Sequence, residues 1–555
     1  MNRNLSARAL IVVLLEVSSV GGGPAVADDA NGIAVCTASG DQLTPVVVSD
    51  GVGGCIVAWH DLRPTVAAGG VCFAQRMNAS SVSQWTPNGV QLSTTGDFSN
   101  PAPAIASDAA GGAFVAYGGD SSAPRAQWVN AAGVPQWGAD GVQLTTEPFT
   151  RDAAIVRDVN GAGGVIVVWR QESVANGLPD IYAQKVNSAG VIQWGPTGVA
   201  VTMTSMNSET LPALISDGAG GAIITFLGTN GCRVQRLDSS GVSQWPNTAL
   251  SSLSNNRRPA IVTDGSGGAV VAWAAGNTGI FVQRVTSLGE RLWPPNNAGV
   301  QLCTAGNQCA MIPDGAGGAT VTWQDFRSNT NYNIYAQRVD GAGATQWLGD
   351  GVEVCFFQDD QLAPMIVSDG GTGAIITWYD QRLISTGDDI YVQRIDASGT
   401  SQWTPNGLAL CTAPDDQRDP TIAADGSGGA FVTWQDRRNG TNDDIYIQHV
   451  NGSGQPVSVL EVDPATSMAC VWPNPFLDRV QLAFVLPAAA RVRFEVFDVR
   501  GRSTRAYEPG VLSGGAHSLT WDGRLSDGRP AGQGIYFLRV TGPGISLSRR
   551  VVRLE

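Results

Sequence analysis

Histidine is nearly absent from this chain. The three that occur, His60, His449 and His517, fall at unrelated repeat positions or in different domains. A Ser/His/Asp or Cys/His constellation would need one of them, so nucleophilic catalysis of that kind is not expected. No H-E-x-x-H, P-loop or EF-hand pattern is present, and no C-x-x-C pair or Cys/His cluster has zinc spacing. Charged residues make up only 15% of the 555 and hydrophobic residues 43%, which fits a packed core and excludes a disordered chain. No stretch sustains a 3.6-residue periodicity. With 69 Gly and 29 Pro, the composition points to many short strands joined by turns. The net charge of −14 repels phosphate backbones, so nucleic acid is excluded as a partner, and an acidic surface keeps a secreted protein soluble.

No apolar run is long enough to cross a bilayer as a helix. The run Ala9 to Leu15 follows Arg3 and Arg8, is interrupted by Glu16, and precedes an A-x-A site at Ala25-Val26-Ala27. Residues 1–27 therefore read as a secretory signal peptide, with the mature chain starting near Asp28 outside the cytoplasm. In that setting the nine Cys can form disulfides, and Cys303–Cys309 and Cys55–Cys72 are the pairs to test. Cys36, Cys303, Cys355 and Cys411 end equivalent segments and read as small buried apolar residues.

What the chain has in quantity is a repeat. Asp50, Asp108, Asp158, Asp217, Asp264, Asp314, Asp369 and Asp425 each open a Gly-rich turn, most often as Asp-x-x-Gly-Gly. An Asp side chain accepts hydrogen bonds from N–H groups two or three residues on, and glycine supplies positive φ. An aromatic follows each turn, at Trp59, Tyr117, Trp169, Phe226, Trp273, Trp323, Trp378 and Trp434. A Gln recurs in the next strand, and a Trp before the fourth, from Trp85 to Trp403. Four strands per unit of about 50 residues is the β-propeller plan. The last unit lacks a fourth strand, and Gly32-Ile-Ala-Val-Cys36 has the form of one. Residues 32–36 are thus predicted to complete the blade of residues 420–450 and close the ring. The prediction is an all-β chain: an eight-bladed β-propeller over residues 28–462 (seven blades if one degenerate unit is absorbed), then a small Ig-like β-sandwich over 470–555.

The units differ at the end of strand two. Trp-x-Asp-x-Arg places Asp61/Arg63, Asp325/Arg327, Asp380/Arg382 and Asp436/Arg438 in repeats one, six, seven and eight, which are contiguous in a closed ring. Two readings stay open. The pairs pin the loop between strands two and three, or they form a polar patch that binds glycan, peptide or a cation. Acid/base glycoside hydrolysis needs two carboxylates in distinct environments, roughly 5–9 Å apart, and four similar pairs do not suit it. Asp388, Asp389, Asp443 and Asp444 lie near the same loops. Calcium at Asp443/Asp444 has no ligand-spacing pattern behind it, so no metal or cofactor is expected.

Beyond Val462 the pattern changes. Pro473-Asn-Pro-Phe476, Val496-Phe-Asp-Val-Arg-Gly-Arg502, Trp521-Asp-Gly-Arg524 and Gly528 to Val540 follow in order. Residues 470–555 resemble the C-terminal sorting domain of type IX secretion substrates and the Ig-like domain of flagellar hook-capping proteins. The Lys-rich ending common in the sorting family stands here as Arg549-Arg550-Val-Val-Arg553. The resemblance implies export across the outer membrane by secretion machinery that recognises 470–555, and contact with the membrane only through surface anchoring. The propeller lacks the WD and kelch signatures, and its turn is not the S-x-D-x-G-x-x-W box of sialidases. The expected function is a secreted, surface-displayed propeller with a non-enzymatic binding or structural role and an extracellular glycan or protein ligand. The alternative is an extracellular glycan-acting hydrolase using acidic residues of the loop face.

Overall fold

The computed structural model describes residues 31–554 apart from 65, 67–68, 95–101, 120–122, 148–149, 160–162, 173–176, 203–207, 230, 252–255, 277, 294–298, 383–386, 458–468, 473–475, 487–489, 513–514 and 543–544. The signal segment 1–27 and the Pro-Asn-Pro entry at 473–475 lie outside the described residues. The chain divides into two compact units, Met1–Ser458 and Val459–Glu555.

The first unit holds eight four-stranded antiparallel sheets, one per repeat. Blade one runs Gln42–Ser49, Cys55–Asp61, Val71–Met77 and Val90–Gln91. The first strands of the following blades are Ala104–Ser107, Thr150–Arg157, Thr210–Ser216, Asn256–Thr263, Gly306–Pro313, Gln361–Ser368 and Gln417–Ala424. Each first strand packs against the next, and that of blade eight packs against that of blade one, so the cycle is closed. Blade eight is completed by Ile33–Cys36, which pairs antiparallel with Asp444–Val450 in the register Ile33↔Ile447. The architecture is an eight-bladed propeller with its first strands on the axis.

The Asp turn is built much as its residues dictate. Asp50 Oδ1 accepts from Val52 N at 2.9 Å and Gly54 N at 2.8 Å, so the second donor is four residues on rather than three. The last glycine is required by space: a Cβ on Gly54 would fall 2.2 Å from the Met77 carbonyl oxygen. The other carboxylate oxygen does a second job that the sequence reading missed. It meets the residue after the recurrent Gln, as in Asp50–Arg76, Asp158–Lys185, Asp217–Arg236, Asp264–Arg284 and Asp369–Arg394, at 2.8–3.0 Å. These side chains then reach the next blade, Arg284 to Gly341 O and Arg394 to Gly452 O. Blade eight uses His449, which holds Asp425 at 2.9 Å and meets Ala79 O of blade one at 2.7 Å.

The recurrent Gln and Trp join the blades as well. Gln75 Oε1 accepts from Trp85 N at 3.0 Å, and Trp85 Nε1 donates to Ala131 O of blade two at 3.0 Å. The same Trp bond recurs through Trp403, which donates to Gly452 O. Eight of the nine cysteines, those from Cys36 to Cys411, are buried and free. The bridges Cys303–Cys309 and Cys55–Cys72 therefore do not form, and these thiols fill apolar positions between strands. Burial pushes the Cys36 thiol up to about 12.

The second unit is a sandwich of a three-stranded and a four-stranded sheet. Phe476, Phe484, Phe494, Trp521 and Leu538 from both sheets fill its core. The Phe-Asp-Val-Arg-Gly-Arg motif is a hairpin turn: Asp498 Oδ1 accepts from Arg500 N and Arg502 N at 2.9 and 3.0 Å. Among the described residues no helix is long and apolar enough to cross a membrane.

Candidate functional site

The ends of the second strands, the loops to the third, and the starts of the first strands share one face of the propeller. The Trp-x-Asp-x-Arg motifs stand on this face and are closed on themselves. Asp61, Asp325, Asp380 and Asp436 are each fully buried. Each carboxylate takes the indole N–H of its own Trp at 2.7–2.8 Å. It also takes the fork of its own Arg, with the shorter contact at 2.6 Å for Arg63, Arg327, Arg382 and Arg438. The four guanidinium carbons lie 3.8–3.9 Å from the ring centres of Phe73, Tyr335, Tyr391 and Tyr446. Burial opposes ionisation of Asp325, but hydrogen bonds from Arg327 and Trp323 outweigh it and hold the carboxyl below its usual range. These groups have the geometry of the loop pin. Removing one partner leaves a buried charge uncompensated. Arg382→Ala is therefore expected to destabilise the propeller by about 3 kcal/mol in denaturant unfolding. Arg382→Lys should recover little of it, because lysine offers no planar fork and no stacking plane.

The same half of the ring is stitched blade to blade. Tyr332 N donates to Asp360, Asp388 N to Asp416, and Asp443 N to Asp41, at 2.8–3.2 Å. In return Gln361, Gln417 and Gln42 donate their backbone N–H to the carbonyls of Tyr332, Asp388 and Asp443. Arg418 adds ion pairs to Asp388 and Asp416. Asp444 accepts from Asn439 and Asn442 at 2.8 and 3.0 Å, and burial pushes it up to about 6. No group of three or more His, Cys, Asp or Glu side chains that could hold a metal ion occurs among the described residues.

The other half has a cavity instead. About 540 Å³ of space opens on the axis against the first strands of blades one to five, lined among others by Thr44, Pro103, Asp152, Leu211, Arg258 and Pro259. The first strands carry a bulge here in seven blades, for example between Leu43 and Val46 and between Arg151 and Ala154. Six non-glycine residues at the bulge, Thr44, Asp152, Leu211, Gln308, Ala363 and Asp419, have φ of +47 to +55°. For Thr44, a β-branched residue, this backbone is strained. Asp152 sits 3.7 Å from Arg170, which also holds Glu172 at 3.2 Å. Arg258 is exposed and has no hydrogen bond or ion pair among the described residues. Sequence reasoning passed over this site, because first-strand residues 40–60 apart converge only once the ring closes. The X-Pro step at Thr44-Pro45, Leu211-Pro212 and Arg258-Pro259 recurs at Ala363-Pro364 and Asp419-Pro420, away from the cavity, so it marks the bulge and not this site.

Residues 477–544 match the FlgD Ig-like domain family. Comparison with curated proteins finds none that matches this chain. Among solved structures, the BP39L lectin from Burkholderia pseudomallei is similar at 12% identity, covering 62% of this chain and 94% of its own, with a TM-score of 0.44. A PL25 polysaccharide lyase, an ulvan lyase, is similar at 12% identity over 77% of this chain and 98% of its own, with a TM-score of 0.44. PorZ, a surface component of the type IX secretion system of Porphyromonas gingivalis, is similar at 15% identity over 94% of this chain and 71% of its own, with a TM-score of 0.31.

Proposed function

We propose that this is a secreted, surface-displayed binding protein, whose propeller carries recognition and whose C-terminal domain directs export. The observation that carries the binding reading is the state of the loop-face carboxylates. The four motif aspartates that a hydrolase would draw on are buried and saturated by their own Trp and Arg. A general acid or nucleophile has to reach its substrate. A rigid ring that presents loops and an axial cavity suits recognition instead.

The export reading is supported by the ordered motifs of 470–555 and by the FlgD Ig-like match within them. In it, secretion machinery recognises this module and delivers the propeller to the outer surface. Deletion of residues 470–555 is expected to trap the protein inside the outer membrane, read by fractionation and by protease accessibility on whole cells. Normal surface delivery of the truncated protein would sink the export claim. A glycan-array and peptide screen on the propeller tests the binding reading.

A further inference from the structure

We propose that the axial cavity binds an anionic sugar unit, with Arg258 taking its acidic group and Thr44 and Asp152 taking its hydroxyls. The inference rests on the reading of the propeller as a binding protein.

Three observations point to a ligand of this kind. The first concerns charge. The one carboxylate that lines the cavity, Asp152, is 3.7 Å from Arg170, which is shared with Glu172. Arg258 lines the same space as an exposed cation with no partner among the described residues. Residues 1–469 carry 22 of the 34 Lys and Arg and 41 of the 48 Asp and Glu, a net charge of −19. A free guanidinium at an apolar axial cavity, in so acidic a domain, is a specific group. It matches a carboxylate or a sulfate through a planar, two-pronged donor set.

The second is an orphaned hydroxyl. Thr44 Oγ1 is buried and has no hydrogen-bond partner among the described residues, though Thr44 lines the cavity. A buried polar group left unsatisfied costs about 1–3 kcal/mol, which a ligand hydroxyl would recover. Asp152, at the same bulge position two blades on, adds a carboxylate acceptor for a second hydroxyl.

The third is the wall between these polar groups. Pro103, Leu211, Pro212 and Pro259 supply flat apolar surface. One cation, a hydroxyl and an acceptor around an apolar platform match a sugar ring. Such a ring has an apolar face, hydroxyls at its edge and, in a uronic acid, a single carboxylate. An acidic peptide offers the carboxylate without the hydroxyls, and a neutral sugar the hydroxyls without the carboxylate.

The test is calorimetry of the full mature chain with hexamers of galacturonate and of glucuronate, a sulfated oligosaccharide, a neutral cello-oligosaccharide and a poly-glutamate peptide. The expected result is binding of an acidic oligosaccharide, uronate or sulfated. Arg258→Gln should weaken it about tenfold or more, and Thr44→Val severalfold. Arg500→Gln, on the exposed surface of the second domain, should leave it unchanged. Thermal unfolding of each variant checks that the ring is intact. Equal binding by Arg258→Gln and the wild type would overturn the assigned site while leaving the binding reading in place. Equal or tighter binding of the neutral sugar or the peptide would overturn the ligand class. If none of the probes binds, the inference is wrong, and the glycan and peptide screen decides the broader reading separately. Cleavage of a bound hexamer would overturn the non-enzymatic reading while keeping the site.

Discussion

Removing residues 31–36 should unfold blade eight and cost the propeller most of its stability. This hexapeptide supplies the edge of a sheet whose other strands lie near 420–450, and it is held as its counterparts are elsewhere. Gly32 has φ of +85° and packs so tightly on Trp434 that a Cβ would fall 2.3 Å from the ring. Gly89 on Trp59 and Gly407 on Trp378 repeat this at 2.5 Å in blades one and seven. Asn31 O accepts from Arg438 at 2.7 Å, as Asn88 O does from Arg63 at 2.9 Å. Val35 and Cys36 are buried against Phe431, Ile445 and Ile447. At about 1.5–3 kcal/mol for each fully buried apolar side chain, their loss together with the strand's hydrogen bonds comes to about 5 kcal/mol. That is comparable with the whole stability of many domains. It would also leave Asp444–Val450 as an open edge prone to aggregation. The expected result is a melting temperature lower by at least about 10 °C, or insoluble protein, with recovery when a peptide of residues 29–38 is added in excess. Unchanged melting of the truncated chain would mean that the ring does not depend on this closure. Gly32→Ala should produce a smaller loss in the same direction.

The closing strand was legible in the sequence because a repeat that lacks a part, beside a spare copy of that part, is a local pattern. The turns were legible for the same reason: Asp and Gly act within five residues of each other. The cation after the recurrent Gln was visible too, as Arg76, Lys185, Arg236, Arg284, Arg338, Arg394 and His449. Its partner is the turn Asp 19–27 residues earlier, and only strand pairing brings the two together. The Asp–Arg motifs were found as residues, and the structure shows why two readings stood open. Spacing alone does not say whether a carboxylate faces water or its own Trp and Arg. The axial cavity was out of reach, since Thr44, Asp152 and Arg258 belong to three blades and meet only around the ring axis. The stitched half and the open half are complementary. Where Asp360, Asp416 and Asp41 tie one blade to the next, the loop face is locked, and the cavity lies mainly against blades without those ties.

The locked half also contains one group that opposes folding at neutral pH, and replacing it should stabilise the protein. Asp389 is fully buried, directly opposite Asp380 in the sheet, and neither of its carboxylate oxygens has a hydrogen-bond partner among the described residues. Burial, with the neighbouring Asp380 and Asp388, pushes it up from 3.8 to about 7, against a smaller opposing pull from Arg382. The folded state therefore binds this proton more tightly than the unfolded chain. Below pH 3.8 both states hold the proton and Asp389 imposes no electrostatic cost. As pH rises from there to about 7, the unfolded chain ionises first and stability falls. The full cost, at most about 4 kcal/mol, is present above that window. Asp444, pushed up to about 6, acts in the same direction. Blade six shows the remedy: Asn333 stands at this position opposite Asp325, and its Oδ1 accepts from Phe357 N at 3.1 Å. Asp389→Asn is thus expected to raise the urea midpoint at pH 8, by the equivalent of about 2–4 kcal/mol, and to change it little near pH 4.5. Its pH–stability curve should be flatter between pH 5 and 8, with a slope remaining from the other raised carboxylates, Asp444 among them. A loss of stability at pH 8, or an unchanged slope, would show that the buried carboxylate is stabilised by something other than its proton.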